Sequence, residues 1–416
     1  MSFKHLFSRS LGAAPGRLHM AAHSHHLWPD ASYDAQVECW TDAARLADRK
    51  WDRIMGELWP AAQAEVAAEL GSGDPTAIVF SANTHDFIIR LVSACPRADP
   101  GCLRVLTSDG EFHSARRQFA RWAEDGWLAL TTLPADHILE AARGGGYDLV
   151  MVSHVLFGSG EIVSDINAIA ALGKPAGPWV VIDGYHTFMA LDTPFQETFA
   201  RSAFYLAGGY KYAMAGEGLG LMHCPPGFGP RPPITGWYAE FGDLKAPPGG
   251  VGYTSDAMRF MGATFDSSSL YRFFAIRRML AGEGLTTAAI SAHVAALQTQ
   301  LLDSVRGTAL ATAELINPLD GQPHARFLAF RSPKAASWQA QLMAADCVTD
   351  VRGDVLRIGL GLYHDAADID AFATIAATLD YHYSQVLTNY RYSTTGVSTD
   401  PSFVRHELLA GIRVAL

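Results

Sequence analysis

Between about residues 75 and 225 the chain repeats one pattern. A short apolar run stops at a small polar residue, and a helix-like stretch follows. "TAIVFSANTHDF" ends its run at Ser81, "CLRVLTSDGEFHS" at Thr107, and "YDLVMVSHVLFGSGE" at Ser153. "GPWVVIDGYHTF" ends at Asp183, "SAFYLAGGYKY" at Ala207, and "LGLMHCPP" closes the series. Strand-like runs alternating with helices predict βα units and an α/β fold with a largely parallel sheet. In such sheets ligands bind beyond the carboxyl ends of the strands. The polar residues that follow each run are therefore where a site is expected.

A chain of 416 residues is long for one core and predicts two domains. Residues 35–70 read as an amphipathic helical stretch, and "PPGFGPRPPITG" as a connector. After about residue 265 the pattern changes to a long helical stretch (270–306), then short strands ("RFLAFRS", "VLRIGLGLY") mixed with helices. The expected division is a large domain over 50–245. A smaller α+β domain would be built from 1–49 and 246–416.

The formal charge of −10 argues against nucleic-acid and anionic-membrane partners. No apolar run is long enough to span a bilayer, and the opening "MSFKHLFSRSLGAAPGRLHM" is a poor signal peptide. Cys39, Cys95, Cys102, Cys224 and Cys347 are odd in number, scattered, and form no CxxC pair, which excludes a disulfide framework or zinc site. A reduced, cytoplasmic protein is the expectation. His23, His25 and His26 lack a carboxylate or cysteine at ligand spacing, so no metal is expected.

"LAGGYKYAMAGEGLGLM" sets one lysine, Lys211, among five glycines and two tyrosines. It is open to three readings: a phosphate loop, a covalent lysine, or a turn. Tyr212 stands where a Walker loop needs Ser or Thr, and the glycine spacing fails. A lysine that bonds a pyridoxal phosphate cofactor needs a carboxylate for the ring nitrogen and a helix start for the phosphate. Asp183 ends the preceding strand run, 28 positions upstream (211 − 183). "SANTHDF" offers Ser81, Asn83 and Thr84. Taken alone, Asp183 could be a helix cap and Arg357 a salt-bridge partner.

Several motifs recur in one order: Asp183-x-x-His186, then Tyr210-Lys211-Tyr212 and a Gly-rich turn, then Gly236-Trp237-Tyr238. Asp350-x-Arg352 and Arg357 leading to Leu362-Tyr363 come last. This order, over about residues 75–385, resembles the class V aminotransferase-type, fold-type-I pyridoxal phosphate enzymes, and among them kynureninase. The resemblance implies a homodimer with the site at the subunit interface and pyridoxal 5'-phosphate as cofactor. It implies that Lys211 bonds the cofactor and moves the Cα proton, while Asp183 keeps the ring nitrogen protonated. Phe112 would stack on the ring. Asn83, Thr84 and Tyr210 would serve the phosphate, and His154 and His186 would flank the phenolic oxygen. Arg357 would hold the substrate carboxylate and Trp237 would face its side chain. Thr264, Ser268 and Ser269 in "GATFDSSSLY" would add phosphate or substrate contacts.

The implied reaction is hydrolysis of the Cβ–Cγ bond of L-kynurenine or a related amino acid to anthranilate and alanine, a step of tryptophan catabolism. The alternative is a class V aminotransferase, lyase or cysteine desulfurase-like enzyme. A non-catalytic binding module is a third class, against which the Lys211, Asp183 and Arg357 set counts. Cys347, 10 positions before Arg357 (357 − 347), sits in a strand-like run and reads as buried, which counts against desulfurase chemistry. The "HMAAHSHHLWPD" opening and the serines of "GATFDSSSLY" depart from the kynureninase pattern on the substrate-facing side.

Overall fold

A computed structural model describes residues 2–98, 101–243, 249–321 and 323–380. Residues 246–248 and 381–416 of the expected small domain lie outside the described residues. Among those described, the strands are β1 (Leu18–His19), β2 (Ile78–Ser81), β3 (Leu103–Ser108), β4 (Leu128–Leu133) and β5 (Leu149–Ser153). They continue with β6 (Trp179–Asp183), β7 (Ala203–Gly208), β8 (Gly220–His223), β9 (Glu314–Leu315) and β10 (Phe327–Arg331). The last three are β11 (Cys347–Val348), β12 (Asp350–Arg352) and β13 (Val355–Gly359).

Seven strands form one sheet in the order β2-β8-β7-β6-β5-β3-β4, parallel except at β8. β5 and β7 are buried at every position, so a near-continuous apolar run is what a strand covered on both faces requires. Register lines up the strand ends: Ser153 pairs with Asp183, and Asp183 with Leu206. The expected strand ends hold at Ser81, Ser153 and Asp183 and fall one residue later at Ser108 and Gly208. β4 had no counterpart among the expected runs. Its exposed and half-buried positions at the sheet edge give it a weaker apolar signature.

A second, antiparallel sheet runs β12-β13-β10-β9, and β1 pairs in parallel with β11. Residues 18–22 are stitched to this part: Gly359 N–H donates to the Met20 carbonyl at 2.8 Å, and Ala22 N–H to the Gly359 carbonyl at 3.1 Å. The stretch expected to be helical over 35–70 is helical throughout: α1 (Asp30–Leu46) kinks at Ala47, whose φ is 49°, and short 3-10, α and π segments over 47–58 lead into α2 (Trp59–Leu70). The stretch expected over 270–306 is α3 (Ser268–Gly282) and α4 (Thr287–Ser304), separated at Gly284, whose φ of +66° only glycine adopts cheaply. α1 lies along α3, with the Tyr271 hydroxyl donating to Asp42 at 3.0 Å.

Candidate functional site

The site forms where the carboxyl ends of β5, β6 and β7 meet the second sheet. Lys211 stands three positions past β7 (211 − 208), in a loop pinned from behind. Arg272 of α3 donates to the carbonyls of Ala215 at 2.7 Å and Glu217 at 2.6 Å, and Ser269 Oγ donates to that of Gly218 at 2.9 Å. The half-buried Lys211 has its Nζ hydrogen-bonded to His186 Nε2. It also lies 5.7 Å from the Phe112 ring centroid and 5.4 Å from that of Tyr185. Burial lowers the amine to about 7, and Arg357 adds to this, while Asp183 and Asp350 oppose it.

Asp183 ends β6. One of its oxygens accepts from the Tyr185 N–H at 2.9 Å, and its carbonyl accepts from the His154 N–H at 2.9 Å. Burial raises its carboxyl, opposed by the Tyr185 amide and by Lys211. His154 and His186 are buried. Burial lowers the first to about 4 and the second well below its ordinary range.

Asn83 caps the helix expected for phosphate binding, Thr84–Ala94; its Oδ1 accepts from the Asp86 N–H at 3.0 Å. Thr84 opens that helix, whose first N–H groups have no partner within it. Gly220 lies beneath this turn, and a Cβ there would come within 2.5 Å of the Asn83 backbone. Phe112 is 42% exposed and meets Phe157 edge-on at 5.5 Å, so one ring face is open to a ligand. Half-buried Tyr210 leans on His25 at 5.3 Å.

Arg357 on β13 reaches across to this edge. Its Nη2 donates to Asp350 at 2.6 Å, its Nη1 donates to the Phe157 carbonyl, and its Nε is buried without a partner among the described residues. Desolvation lowers its pKa from the ordinary value, with Asp350 opposing.

The remaining expected residues sit apart from this cluster. Ser268 and Ser269 are buried at the start of α3, with hydroxyls donated to Asp266 at 3.0 Å and to Gly218. Thr264 is exposed, with no side-chain hydrogen bond among the described residues. Trp237 is 43% exposed, and its ring meets Tyr238 and Phe241.

Two residues join the site without having been singled out for it. Glu111, next to Phe112, is buried and links β3 to β5: Ser153 donates to it through N–H at 2.9 Å and Oγ at 2.6 Å, and Ser108 Oγ donates to it as well. Burial raises its carboxyl to about 7; the serine hydrogen bonds oppose this and the charge of Asp183 adds to it. His23 is wholly buried against Phe327, at 4.7 Å between ring centroids. The only sequence signal for Glu111 was its place beside the aromatic.

No family model matches the chain. Isopenicillin N epimerase of Streptomyces clavuligerus is 29% identical over 198 residues, covering 44% of this chain and 48% of that protein. The chain thus spans about half the length of the curated relative it matches. Apo cysteine desulfurase from Thermococcus onnurineus NA1 superposes with a TM-score of 0.74 at 17% identity, covering 91% of this chain and 98% of that one. A C-DES variant with glycine covalently linked to its PLP cofactor gives 0.73 at 16% identity, over 91% and 99%. The fold is fold type I.

Proposed function

We propose that the chain is a pyridoxal phosphate-dependent enzyme of class V type that removes the α-proton of an amino acid and releases a group from its Cβ, as a lyase does. The observation that carries this reading is the placement of Lys211 three positions past β7, its Nζ hydrogen-bonded to buried His186, beside Asp183 at the end of the neighbouring strand β6. The structure's donor set fits the cofactor. Asp183 has one oxygen free of protein hydrogen bonds among the described residues, Phe112 offers an open ring face, and the Asn83–Thr84 turn offers unpaired N–H groups over Gly220. Asp183 would hold the proton of the ring nitrogen, Phe112 would cover the ring, and Asn83 and Thr84 would hold the phosphate.

When bound, the cofactor supplies an electron sink for the charge left at Cα. Arg357 orients the substrate by its carboxylate with a two-pronged grip. Lys211 Nζ, deprotonated above about pH 7, accepts the Cα proton and can return it to the leaving group. Buried, neutral His186 accepts a hydrogen bond from Nζ and keeps it aimed.

The cysteines favour elimination over sulfur relay. Cys95 and Cys224 lie at the amino edge of the large sheet, Cys102 immediately precedes β3, and Cys347 is buried in β11 with its thiol raised to about 12. Cys39 sits on α1 with its thiol raised by burial. The names of the structural neighbours, cysteine desulfurase and the cystine C–S lyase C-DES, agree with a substrate carrying sulfur on Cβ. A kynureninase-like hydrolase is the second reading, favoured by the aromatic wall of Phe112 and Phe157.

Product analysis of the cofactor-loaded protein tests both. Pyruvate and ammonia are expected, with sulfide from L-cysteine or cysteine persulfide from L-cystine. Anthranilate and alanine from L-kynurenine would shift the assignment to the hydrolase, and no turnover of any of the three would sink both.

A further inference from the structure

Buried polar atoms with no partner lie beneath Arg357. Neither ring nitrogen of His23 has a hydrogen bond among the described residues, and its Nε2 lies 3.9 Å from Asp350 Oδ2. That one oxygen already accepts from Arg357 Nη2 at 2.6 Å and lies 3.3 Å from Arg352 Nη2 in an ion pair, while Asp350 Oδ1 is buried with no hydrogen bond among the described residues. Unpaired buried polar atoms are costly and rare, so several together call for an explanation. His23 is held in place by the 18–22 segment on Gly359 and by its stack on Phe327, and Phe327 is itself the register partner of Gly359.

We propose that His23 is a positioning residue for the substrate carboxylate: it is the second hydrogen-bond donor for Asp350, and so allows Arg357 to turn its fork to the substrate. This rests on the amino-acid reading above. The two Nη groups of Arg357 are engaged by Asp350 and by the Phe157 carbonyl. A two-pronged grip on a carboxylate draws at least one of them away. Asp350 would then keep a buried negative charge with only the ion pair to the partly exposed Arg352 and no hydrogen-bond donor among the described residues. A movement of about 1 Å brings His23 Nε2 within hydrogen-bond range of it.

The exchange needs no protonation, because a neutral imidazole donates from one nitrogen. The groups around His23 favour that form. Arg352 on β12, Arg357 on β13, Lys211 and His186 near the large sheet, and His19 on its own segment face it, with Asp350 as the one carboxylate.

The test is calorimetric titration of the cofactor-loaded protein with L-alanine and with ethylamine, which lacks the carboxylate. His23→Phe keeps the ring stack and removes the donor. His23→Gln keeps a donor. The expected result is L-alanine binding roughly tenfold weaker in His23→Phe, unchanged ethylamine binding, and recovery to near the wild-type value in His23→Gln. Unchanged L-alanine binding in His23→Phe overturns the proposal, as does an equal loss for both ligands or a loss the glutamine variant does not repair. If the wild type does not prefer L-alanine to ethylamine, the amino-acid reading fails first, and the role of His23 goes with it.

Discussion

Lys211 Nζ is hydrogen-bonded to His186 Nε2, and the other ring nitrogen of that histidine is buried without a partner. Burial, Lys211 and Arg357 all keep His186 neutral, so the pair carries at most the lysine's proton. In the tautomer protonated at Nδ1, the histidine accepts from the amine and fixes its direction. Replacing Lys211 with alanine should abolish both turnover and covalent retention of pyridoxal phosphate. His186→Phe should leave the cofactor bound and reduce kcat. Absorbance of the desalted protein beside product formation checks both.

The charges around Lys211 set its titration. Its reactivity should rise through about pH 7, because the amine is free only above its lowered pKa. Arg357 lowers that value and Asp183 raises it, so Arg357→Met should move the midpoint up and Asp183→Asn should move it down. Rates of acylation at Lys211, followed by peptide mass spectrometry across pH, read this without the cofactor. Shifts in the same direction for both variants would contradict it.

Arg357→Lys keeps a charge but loses the fork. Substrate KM should rise roughly 10–100-fold with a smaller change in kcat, as for one charge-assisted hydrogen bond. Steady-state kinetics on the substrate that the product analysis identifies would show the split.

Glu111 makes stability depend on pH. Its carboxyl is raised from 4.5 to about 7, so its neutral form is the one the fold favours. That contribution is complete below about pH 4.5 and is lost as pH rises through about 7, an effect on the order of 3 kcal/mol. Glu111→Gln keeps an acceptor for the Ser153 N–H and removes the titration. Urea unfolding at pH 5 and pH 8 should show the wild type losing stability relative to the glutamine variant.

If sulfur relay plays no part, thiol chemistry should leave the enzyme intact. Cys102 is the exposed cysteine. Its alkylation, confirmed by mass, should leave turnover unchanged, and so should Cys102→Ser. A loss shared by both treatments would reopen the desulfurase reading.

The large sheet was legible because its strands are covered on both faces, so apolar runs and their polar stops stand out in order. β4 escaped because an edge strand mixes exposed and buried positions. Lys211, Asp183 and Arg357 could be found because strand ends and motif order place them. Glu111 was not singled out, because only the packing of β3 on β5 buries it. His23 lies in the "HMAAHSHHLWPD" stretch placed on the substrate-facing side and was weighed only as a metal ligand; its burial follows from the packing of residues 18–22 on β13. Ser268 and Ser269, placed by motif position, donate their hydroxyls to Asp266 and Gly218, which fixes the start of α3 and the loop carrying Lys211.

The stitching of residues 18–22 to Gly359 bears on how the protein is made. The segment carrying His23 is translated more than three hundred residues before its partners on β11 and β13. Contacts this distant in sequence close late, after the local units have collapsed. The large sheet can assemble before these strands exist, whereas the carboxylate end of the site must wait for β11 and β13.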